Sequence, residues 1–263
     1  MTRVAQLLLA AVVVVPATGL VIPTTALAQA PGQPPPLPMA VDLKKVPVGA
    51  WAEYDMTVGQ LPPMKSRMAL VGKSSEGNTL EMTMQGGMLS MAGGKMVVQT
   101  VVDPDQGKEK PVKRVIMQIG DNDPMEMPVD NKQQTQFHKP DPKSLVKEET
   151  VKVAAGTFKA KHYREKTPSG DPFDFWVSSD VPPFGIVKVE ADQKHAAGPA
   201  QGPVHFELTA LGKDAKMTIT KPAKPFNQGQ MVGQLMGGAG KGSGGLVPID
   251  MNKPAAPPAP PAK

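Results

Sequence analysis

The sequence predicts a mainly β protein, in which one curved antiparallel sheet with at most one or two short helices lies between disordered ends. The first observation is period-two hydrophobicity, since apolar and polar residues alternate within residues 52–58, 80–84, 173–177 and 204–210. The second is that turn-forming stretches, such as Gly93-Gly94 and Pro168-Ser169-Gly170, separate the strands at intervals of about 8 to 14 residues. The third is that no segment between them is long enough for a crossover helix, which indicates antiparallel pairing of consecutive strands.

The individual elements follow from the same pattern. We predict strands, in chain order, at residues 52–58, 64–71, 80–84, 95–102, 112–119, 157–164, 173–177, 185–190, 204–210 and 215–219. Residues 131–138 and 144–149 are the two segments expected to form short helices. Antiparallel strands in this number, without a second layer of helices, have to curl, close or stack on one another. A curled sheet, as in a half-barrel, leaves a concave apolar surface where a ligand could bind.

The N-terminal segment, residues 1–28, has the features of a signal peptide. Arg3 supplies a positive charge, an unbroken apolar run covers residues 7–15, and small residues form two A-x-A sites that end at Ala28 and Ala30. This order is typical of a cleavable secretory signal. We therefore expect cleavage near Ala28 or Ala30 and a periplasmic or secreted protein. The alternative is a retained membrane anchor, because the apolar stretch over residues 4–22 is nearly long enough to span a bilayer.

Composition divides the rest of the chain into three parts. Residues 29–47 are predicted to be a Pro-rich linker, because proline favours polyproline II and cannot pair inside a sheet. Residues 48–220 hold ten of the eleven aromatic residues and form the predicted β domain. Residues 221–263 are rich in Gly, Pro and Ala, and are predicted to be a disordered tail because they bury too little apolar surface to offset the entropy of ordering.

Residues 150–190 resemble a segment of known exported proteins. They contain V-x-x-G-T-F-K-A, then a hairpin, then W-V-S and V-P-P-F-G-I-V-K. This order is similar to a segment of uncharacterised exported bacterial proteins that resemble the LolA/LolB-like superfamily of periplasmic carriers. The resemblance implies an open, curved antiparallel half-barrel lined with apolar residues, and it implies transport of a lipid or lipoprotein. One fold serves many functions, and no residue-level functional motif of the carriers is found in this sequence, so the resemblance assigns no functional residue to this chain.

Methionine is the residue type that points to a possible site. Eleven of the 17 methionines fall between Met56 and Met127. Three interpretations stay open: core packing in place of Leu and Phe, an adaptable lining for an apolar ligand, and a thioether cluster for Cu(I). The second interpretation places candidate ligand-binding residues on the concave face, with tryptophans at its rim: Met56, Met68, Met82, Met84, Met96, Met117, Trp51 and Trp176.

The other residues do not indicate a reaction. Without cysteine the chain has no disulfide, no thiolate zinc site and no thiol nucleophile. The four histidines are scattered, and neither an H-E-x-x-H pattern nor a nucleophile elbow occurs. His162 is expected to be a partly buried histidine with satisfied hydrogen bonds. We therefore predict no enzymatic activity, no cofactor and no resident metal ion.

These observations together predict an exported, monomeric, non-enzymatic binding protein that holds a lipid-like or lipoprotein-like apolar ligand on the concave face of its sheet. The alternative is a structural or interaction protein of the cell envelope, with a filled core and an envelope component as its partner. Binding of Cu(I) by methionine is the third hypothesis. An exported protein is not expected to meet nucleic acid, and a net charge of +5 favours loose attraction to anionic lipids or cell-wall polymers.

Overall fold

The computed structural model describes residues 37–92, 94–103, 112–129, 137–167, 170–194, 199 and 201–227. The strands in this part of the chain are β1 (Leu37–Pro38), β2 (Trp51–Val58), β3 (Met64–Lys73), β4 (Asn78–Gly86), β5 (Lys95–Val102), β6 (Val112–Ile119), β7 (Met125–Met127), β8 (Phe137–His138), β9 (Leu145–Val153), β10 (Gly156–Lys166), β11 (Pro172–Val177), β12 (Ile186–Gln193), β13 (Gly202–Gly212) and β14 (Lys224–Pro225). Two short 3-10 segments, Gly87–Ala92 and Pro142–Ser144, are the helical elements among the described residues.

Twelve of these strands form one open sheet in the order β14-β7-β6-β5-β4-β3-β2-β13-β12-β11-β10-β9. Consecutive strands pair antiparallel from β2 to β7 and from β9 to β13, and antiparallel pairing of β13 with β2 joins the two halves. Parallel pairing occurs at the edge, between β14 and β7, and in a separate pair of β1 with β8. The prediction of a mainly β protein built on one large curved sheet is confirmed.

The half of the sheet from β13 to β9 curls until its ends meet. Three strands separate β9 from β13, yet the N–H of Ala155, which follows β9, donates to the carbonyl of Leu208 on β13 at 3.4 Å. The curl encloses much of the larger apolar core, which we call the first cluster; it includes Phe173 and Phe175 and extends to Leu70 on β3 and Leu80 on β4. Burial of apolar side chains is the main favourable term in folding, so this cluster supplies much of the stability. Methionine and aliphatic side chains continue the same face under β4 to β7.

Tyr54 on β2 shows how the two halves of the sheet are joined inside the first cluster. Its ring stacks on Phe206 of β13 with the centroids 4.3 Å apart. Its hydroxyl donates to the carbonyl of Ile186 on β12 at 3.1 Å, which satisfies the polar atom of a fully buried side chain. Burial raises the pKa of Tyr54 far above its usual value, so the phenol stays neutral and keeps its proton as a hydrogen-bond donor.

The opposite, outer face of the sheet is crossed by residues 213–223, which we call the crossing segment. The N–H of Ala215 donates to the carbonyl of Gly49 at 2.9 Å, and Ile219 is buried in a small apolar cluster on β5 and β6. Gly49 has a φ of 93°, and a Cβ at this position would lie 2.5 Å from the carbonyl oxygen of Lys213. Glycine is therefore required where the crossing segment approaches the sheet.

Two predicted elements are wrong, and one lies mostly outside the described residues. Residues 144–149 were expected to be helical but belong to the 3-10 segment Pro142–Ser144 and to strand β9, which pairs with β10. Residues 215–219 were expected to form a strand, but they cross the sheet without strand pairing and only Ile219 among them is buried. Of the predicted helix over residues 131–138, the structure describes only Phe137–His138, which form strand β8.

The predicted ends of the chain are described only where they meet the β domain. The signal segment, together with the alternative of a membrane anchor, lies outside the described residues. Leu43 and Val46 of the predicted linker are buried in the first cluster, and Lys224–Pro225 of the predicted tail pair with β7. Among the residues that the structure describes, no helix has the length and hydropathy that a membrane crossing requires.

Candidate functional site

The predicted lining methionines lie on one face of the sheet, in two adjoining groups. Met56 and Met68 are buried in the first cluster. Three more belong to a second group, which we call the methionine cluster and define by its buried residues: Met84, Met96, Val98, Met117, Ile119, Met125 and Met127. Met82 is partly buried and packs against both groups.

Strand register explains why methionines that are distant in sequence come together. Met82 on β4 lies opposite Met68 on β3 and opposite Val98 on β5. Val98 in turn lies opposite Met117 on β6, which lies opposite Met125 on β7. Residues directly opposite each other on antiparallel strands have Cβ atoms about 5 Å apart, so this row is a continuous line of side-chain contacts. The alternation of Met with polar residues therefore predicted the shared face correctly.

Sequence reasoning left two methionines of the cluster out of the candidate lining. Met125 and Met127 flank Glu126 on β7, a strand of three residues. Burial alternates along β7, since Met125 is fully buried, Glu126 is partly exposed and Met127 is 4% exposed. The M-E-M pattern was the available signal, but three residues are too few for a period to identify a strand. Only pairing with β6 shows that these side chains join the methionines of the neighbouring strands.

The methionine cluster is covered by two short pieces of chain. Leu89 of the 3-10 segment Gly87–Ala92 and Phe226, one residue beyond β14, are both partly buried and pack against it. Beneath them, Met117 is 2% exposed. The methionine side chains therefore form a packed interior, whereas the sequence had placed them on an open concave surface.

An open groove is found on the opposite face, where the crossing segment lies against the sheet. Its volume is about 370 Å³, and its floor consists of outward-facing side chains of β2 to β5: Glu53, Lys65, Arg67, Ala69, Glu81, Thr83, Gln85 and Lys95. The wall is supplied by residues of the crossing segment: Asp214, Ala215, Lys216 and Thr218. Four basic and three acidic residues make this groove polar, in contrast to the apolar face below the sheet.

Glu81 fixes the crossing segment to the floor of the outer groove. One oxygen of its carboxylate, Oε2, accepts the N–H of Thr218 at 2.9 Å and lies 3.5 Å from the N–H of Ile219. The side chain is 5% exposed, and hydrogen bonds to a charged acceptor are stronger than those to a neutral one. Glu81 is therefore a structural residue of the groove, already occupied by the backbone of this chain.

Trp51, predicted at the rim of a concave site, instead lies at one end of the outer groove. Its indole N–H donates to Asp214 Oδ1 at 2.6 Å, and the guanidinium of Arg67 lies 4.0 Å from the centre of its ring. The hydrogen bond from Trp51 holds the pKa of the Asp214 carboxyl below its usual value, and the charges of Arg67 and Lys216 act in the same direction. Asp214 is thus ionised at neutral pH.

We expect the contact between Trp51 and Asp214 to persist in mild acid and to break only at low pH. Because the pKa of Asp214 is lowered in the folded state, the contact is present above the unfolded-state pKa and is lost as the pH falls through the folded-state pKa. Trp51 fluorescence, recorded in a Trp176→Phe background, should change with a midpoint below the usual aspartate value of about 3.9. Asp214→Asn should remove the transition. A midpoint at or above that value, with far-UV circular dichroism unchanged, would contradict the assignment.

Trp176, the other predicted rim residue, lies in the half of the sheet that encloses the first cluster. Its indole N–H donates to Glu149 Oε1 at 2.8 Å, which holds the pKa of Glu149 below its usual value. Its ring stacks on His162 at 4.3 Å, and His162 Nε2 lies 2.5 Å from Asp174 Oδ1. His162 is 7% exposed, so it is more fully buried than the sequence predicted. Its hydrogen bonding is only half satisfied, because the buried Nδ1 has no hydrogen-bond partner among the described residues and lies 3.7 Å from Glu149 Oε1.

Metal binding by conventional ligands has no support within the described part of the chain, where no group of three or more His, Cys, Asp or Glu side chains could hold an ion. Methionine thioethers are a different class of ligand, selective for soft ions such as Cu(I). The Cu(I) hypothesis therefore stays a prediction.

The comparisons with known proteins name no family. No protein-family model matches this chain, and no curated protein matches it. Among solved structures, a hypothetical protein from Chlamydia trachomatis is 14% identical with a TM-score of 0.40, and the match covers 68% of this chain and 94% of that one. A proposed exported protein with a YmcC-like fold from Bacteroides fragilis is 15% identical with a TM-score of 0.29, over 63% and 96%. A proposed lipoprotein from Parabacteroides distasonis is 12% identical with a TM-score of 0.27, over 63% and 95%. The resemblance to LolA/LolB-like carriers stays a prediction.

Proposed function

We propose that this protein is an exported, non-enzymatic binding protein that holds an apolar, lipid-like ligand at the methionine cluster. The observation that carries the proposal is the row of apolar side chains from β3 to β7, in which methionines on β3, β4, β6 and β7 flank Val98 on β5, beneath a cover of two partly buried side chains. Export rests on the N-terminal sequence, in which a basic residue, an apolar run and A-x-A sites follow in order.

Methionine is suited to this role because its side chain is unbranched and polarisable. It can fill a gap in one arrangement and line a ligand in another, whereas Leu and Phe hold more rigid shapes. A core of methionine alone would specify one packing less well than a core of branched and aromatic residues. The first cluster, by contrast, contains stacked aromatic rings, such as Tyr163 on Phe175. The first cluster thus contains rigid aromatic contacts that are absent among the buried residues of the methionine cluster.

Short pairings attach the cover over the methionine cluster to the described part of the sheet. Lys224 of β14 adds two contacts, since its N–H donates to the carbonyl of Pro124 at 2.8 Å and its ammonium lies 2.6 Å from Asp123. Leu89 lies in the 3-10 segment, and its carbonyl accepts the N–H of Gly94 at 2.7 Å. Phe226 follows β14, a strand of two residues. Segments with few buried contacts and short pairing open at the lowest free-energy cost in a folded protein. Displacement of Leu89 and Phe226 would admit an acyl chain to the methionine side chains while the sheet stays intact.

A structural or interaction role in the cell envelope is the second candidate function. It is favoured by the low exposure of the methionines, since Met84 and Met96 are 3% and 5% exposed. A filled interior of this kind does not require a ligand. The two candidates differ in one measurable respect, which is whether the cover over the methionine cluster limits entry of an apolar molecule.

Binding of a dansyl-labelled undecanoic acid should distinguish the two candidates. We expect saturable fluorescence enhancement with the full chain, and about fivefold tighter binding to Phe226→Ala, because removal of the cover raises the fraction of molecules competent to bind. Phe158→Ala is the matched control, since Phe158 is also partly buried but packs against the first cluster. Native mass spectrometry of protein purified from its own host should show a bound lipid.

Two results would overturn the proposal of ligand binding. One is the absence of saturable binding to both the full chain and Phe226→Ala, while circular dichroism shows the sheet to be intact. The other is equal tightening in Phe226→Ala and Phe158→Ala, which would place the probe outside the methionine cluster. The first result would favour the structural role.

A further inference from the structure

The outer groove carries a second possible site, on the face of the sheet away from the methionine cluster. Two of its acidic residues are held by contacts within this chain, and two of its lysines lie at the end of the floor away from those contacts. Glu81 and Asp214 lie towards the crossing segment, where Glu81 accepts backbone N–H groups and Asp214 accepts the indole N–H of Trp51. The opposite end of the floor carries Lys65 and Lys95. Glu81 and Asp214 are thus engaged by this chain, whereas Glu53, the third acidic residue of the groove, lies opposite Arg67 on the neighbouring strand. The end that carries the two lysines, which we call the basic end, is exposed at Lys65, whose side chain is 62% exposed.

Strand register places the two lysines on either side of a glutamine. Gln85 on β4 lies opposite Lys65 on β3 and opposite Lys95 on β5, and all three line the groove. Adjacent strands are about 4.8 Å apart, so the lysine backbones lie about 10 Å from each other. Flexible four-carbon stems allow both ammonium groups to reach a single anion above the Gln85 amide. Asp55, 3.5 Å from Lys65, is the acidic neighbour at this end, in a pair that is more than half exposed and therefore weak.

Arg67 adds a fixed guanidinium to this basic end. It lies two residues from Lys65 on the same face of β3, opposite Glu53 on β2 and Thr83 on β4. Its Nε is buried and has no hydrogen-bond partner among the described residues. Contact with the ring of Trp51 holds the guanidinium in place, so part of the ordering that an anion would require is already complete.

We propose that the basic end of the outer groove, formed by Lys65, Arg67 and Lys95 with Lys216 on the facing wall, binds a phosphate group. A guanidinium with two flexible ammonium groups suits a compact anion with several oxygens better than a single carboxylate. The volume of about 370 Å³ is that of a small-molecule site, and it suits a phosphate ester or a phosphorylated headgroup. The phosphate could come from a soluble ester or from a lipid headgroup, and the experiment separates the two sources.

The test is a titration of the isotope-labelled full chain with glycerol 3-phosphate, followed by NMR of backbone and side-chain N–H groups. Dihexanoyl phosphatidic acid, kept below its micelle concentration, is titrated in parallel, and glycerol serves as the phosphate-free control. We expect saturable shifts at Arg67, Gln85 and Lys95 with both phosphate compounds and none with glycerol. Tighter binding of the lipid identifies a headgroup as the source, and equal or tighter binding of the ester identifies a soluble ligand.

The variant Lys65→Gln/Lys95→Gln should weaken phosphate binding about tenfold, because it removes two charge-assisted contacts. The matched control is Lys152→Gln/Lys159→Gln, which makes the same change of charge at two exposed positions on β9 and β10. Equal weakening by both variants would mean that only net charge attracts the ligand, and would overturn the site. Absence of saturable shifts with either phosphate compound would also overturn it.

Discussion

Phe175→Ala is expected to lower the free energy of unfolding by about 3 to 5 kcal/mol. Phe175 is fully buried in β11, and its ring stacks on Tyr163 and on Phe173 with both centroid distances at 5.3 Å. Truncation removes the transfer free energy of the ring and leaves a cavity where three aromatic side chains meet. Backbone pairing on both sides, with β10 and β12, limits how far the sheet can collapse into that cavity.

Equilibrium denaturation by urea measures this loss, with Phe158→Ala as the control. Phe158 is only partly buried at the edge of the first cluster, so its truncation should cost clearly less. Equal losses in the two variants would contradict the placement of Phe175 at the centre of the first cluster and of Phe158 at its edge.

Strands were predictable where a short apolar or alternating segment stands between turn-forming residues. Residues 95–102 and 112–119 were predicted with the bounds that the structure gives to β5 and β6. Lysine and glutamate in residues 144–149 favour a helix locally, but the helix prediction for this segment was wrong. Pairing with β10 makes residues 145–149 part of strand β9, and Val146 remains 50% exposed on this edge strand. Local propensity cannot report a partner strand that lies beyond a turn in the chain.

The candidate sites differed in how much of them the sequence could predict. Alternation predicted that Met82 and Met84 share one face of β4, but the row that joins methionines of different strands follows from the strand register. The outer groove did not, since polar residues such as Lys65 and Gln85 look like an ordinary solvated surface in a strand pattern. They become a groove only because Ile219 and its neighbours cross over them. The alternation of Ala215, Met217 and Ile219 predicted a strand, but the segment crosses the sheet without strand pairing and buries only Ile219.

Glu81→Ala is expected to release the crossing segment and to lower the free energy of unfolding by about 2 to 3 kcal/mol. The change removes the carboxylate that accepts the N–H of Thr218 and lies near that of Ile219, leaving donors without their charged partner. Hydrogen exchange should locate the effect. The amides of Thr218 and Ile219 should exchange at least about tenfold faster, since each 1.4 kcal/mol of lost local stability corresponds to a factor of ten. Amides of β11 and β12, in the first cluster, should change less.

Glu53→Ala is the matched control. Glu53 lines the same groove from β2, but within the described part of the chain its carboxylate accepts no hydrogen bond from the crossing segment. It should leave the exchange of the Thr218 amide unchanged. If both variants accelerated exchange of the Thr218 amide equally, the negative charge of the groove as a whole would hold the crossing segment, and the hydrogen bond to Glu81 would not be specifically required. Selective release by Glu81→Ala would show that the wall of the groove depends on one buried carboxylate. Lys216 lies on that wall, whereas Lys65 and Lys95 lie on the floor. The same variant should therefore remove the contribution of Lys216 to phosphate binding and retain the contribution of the two floor lysines.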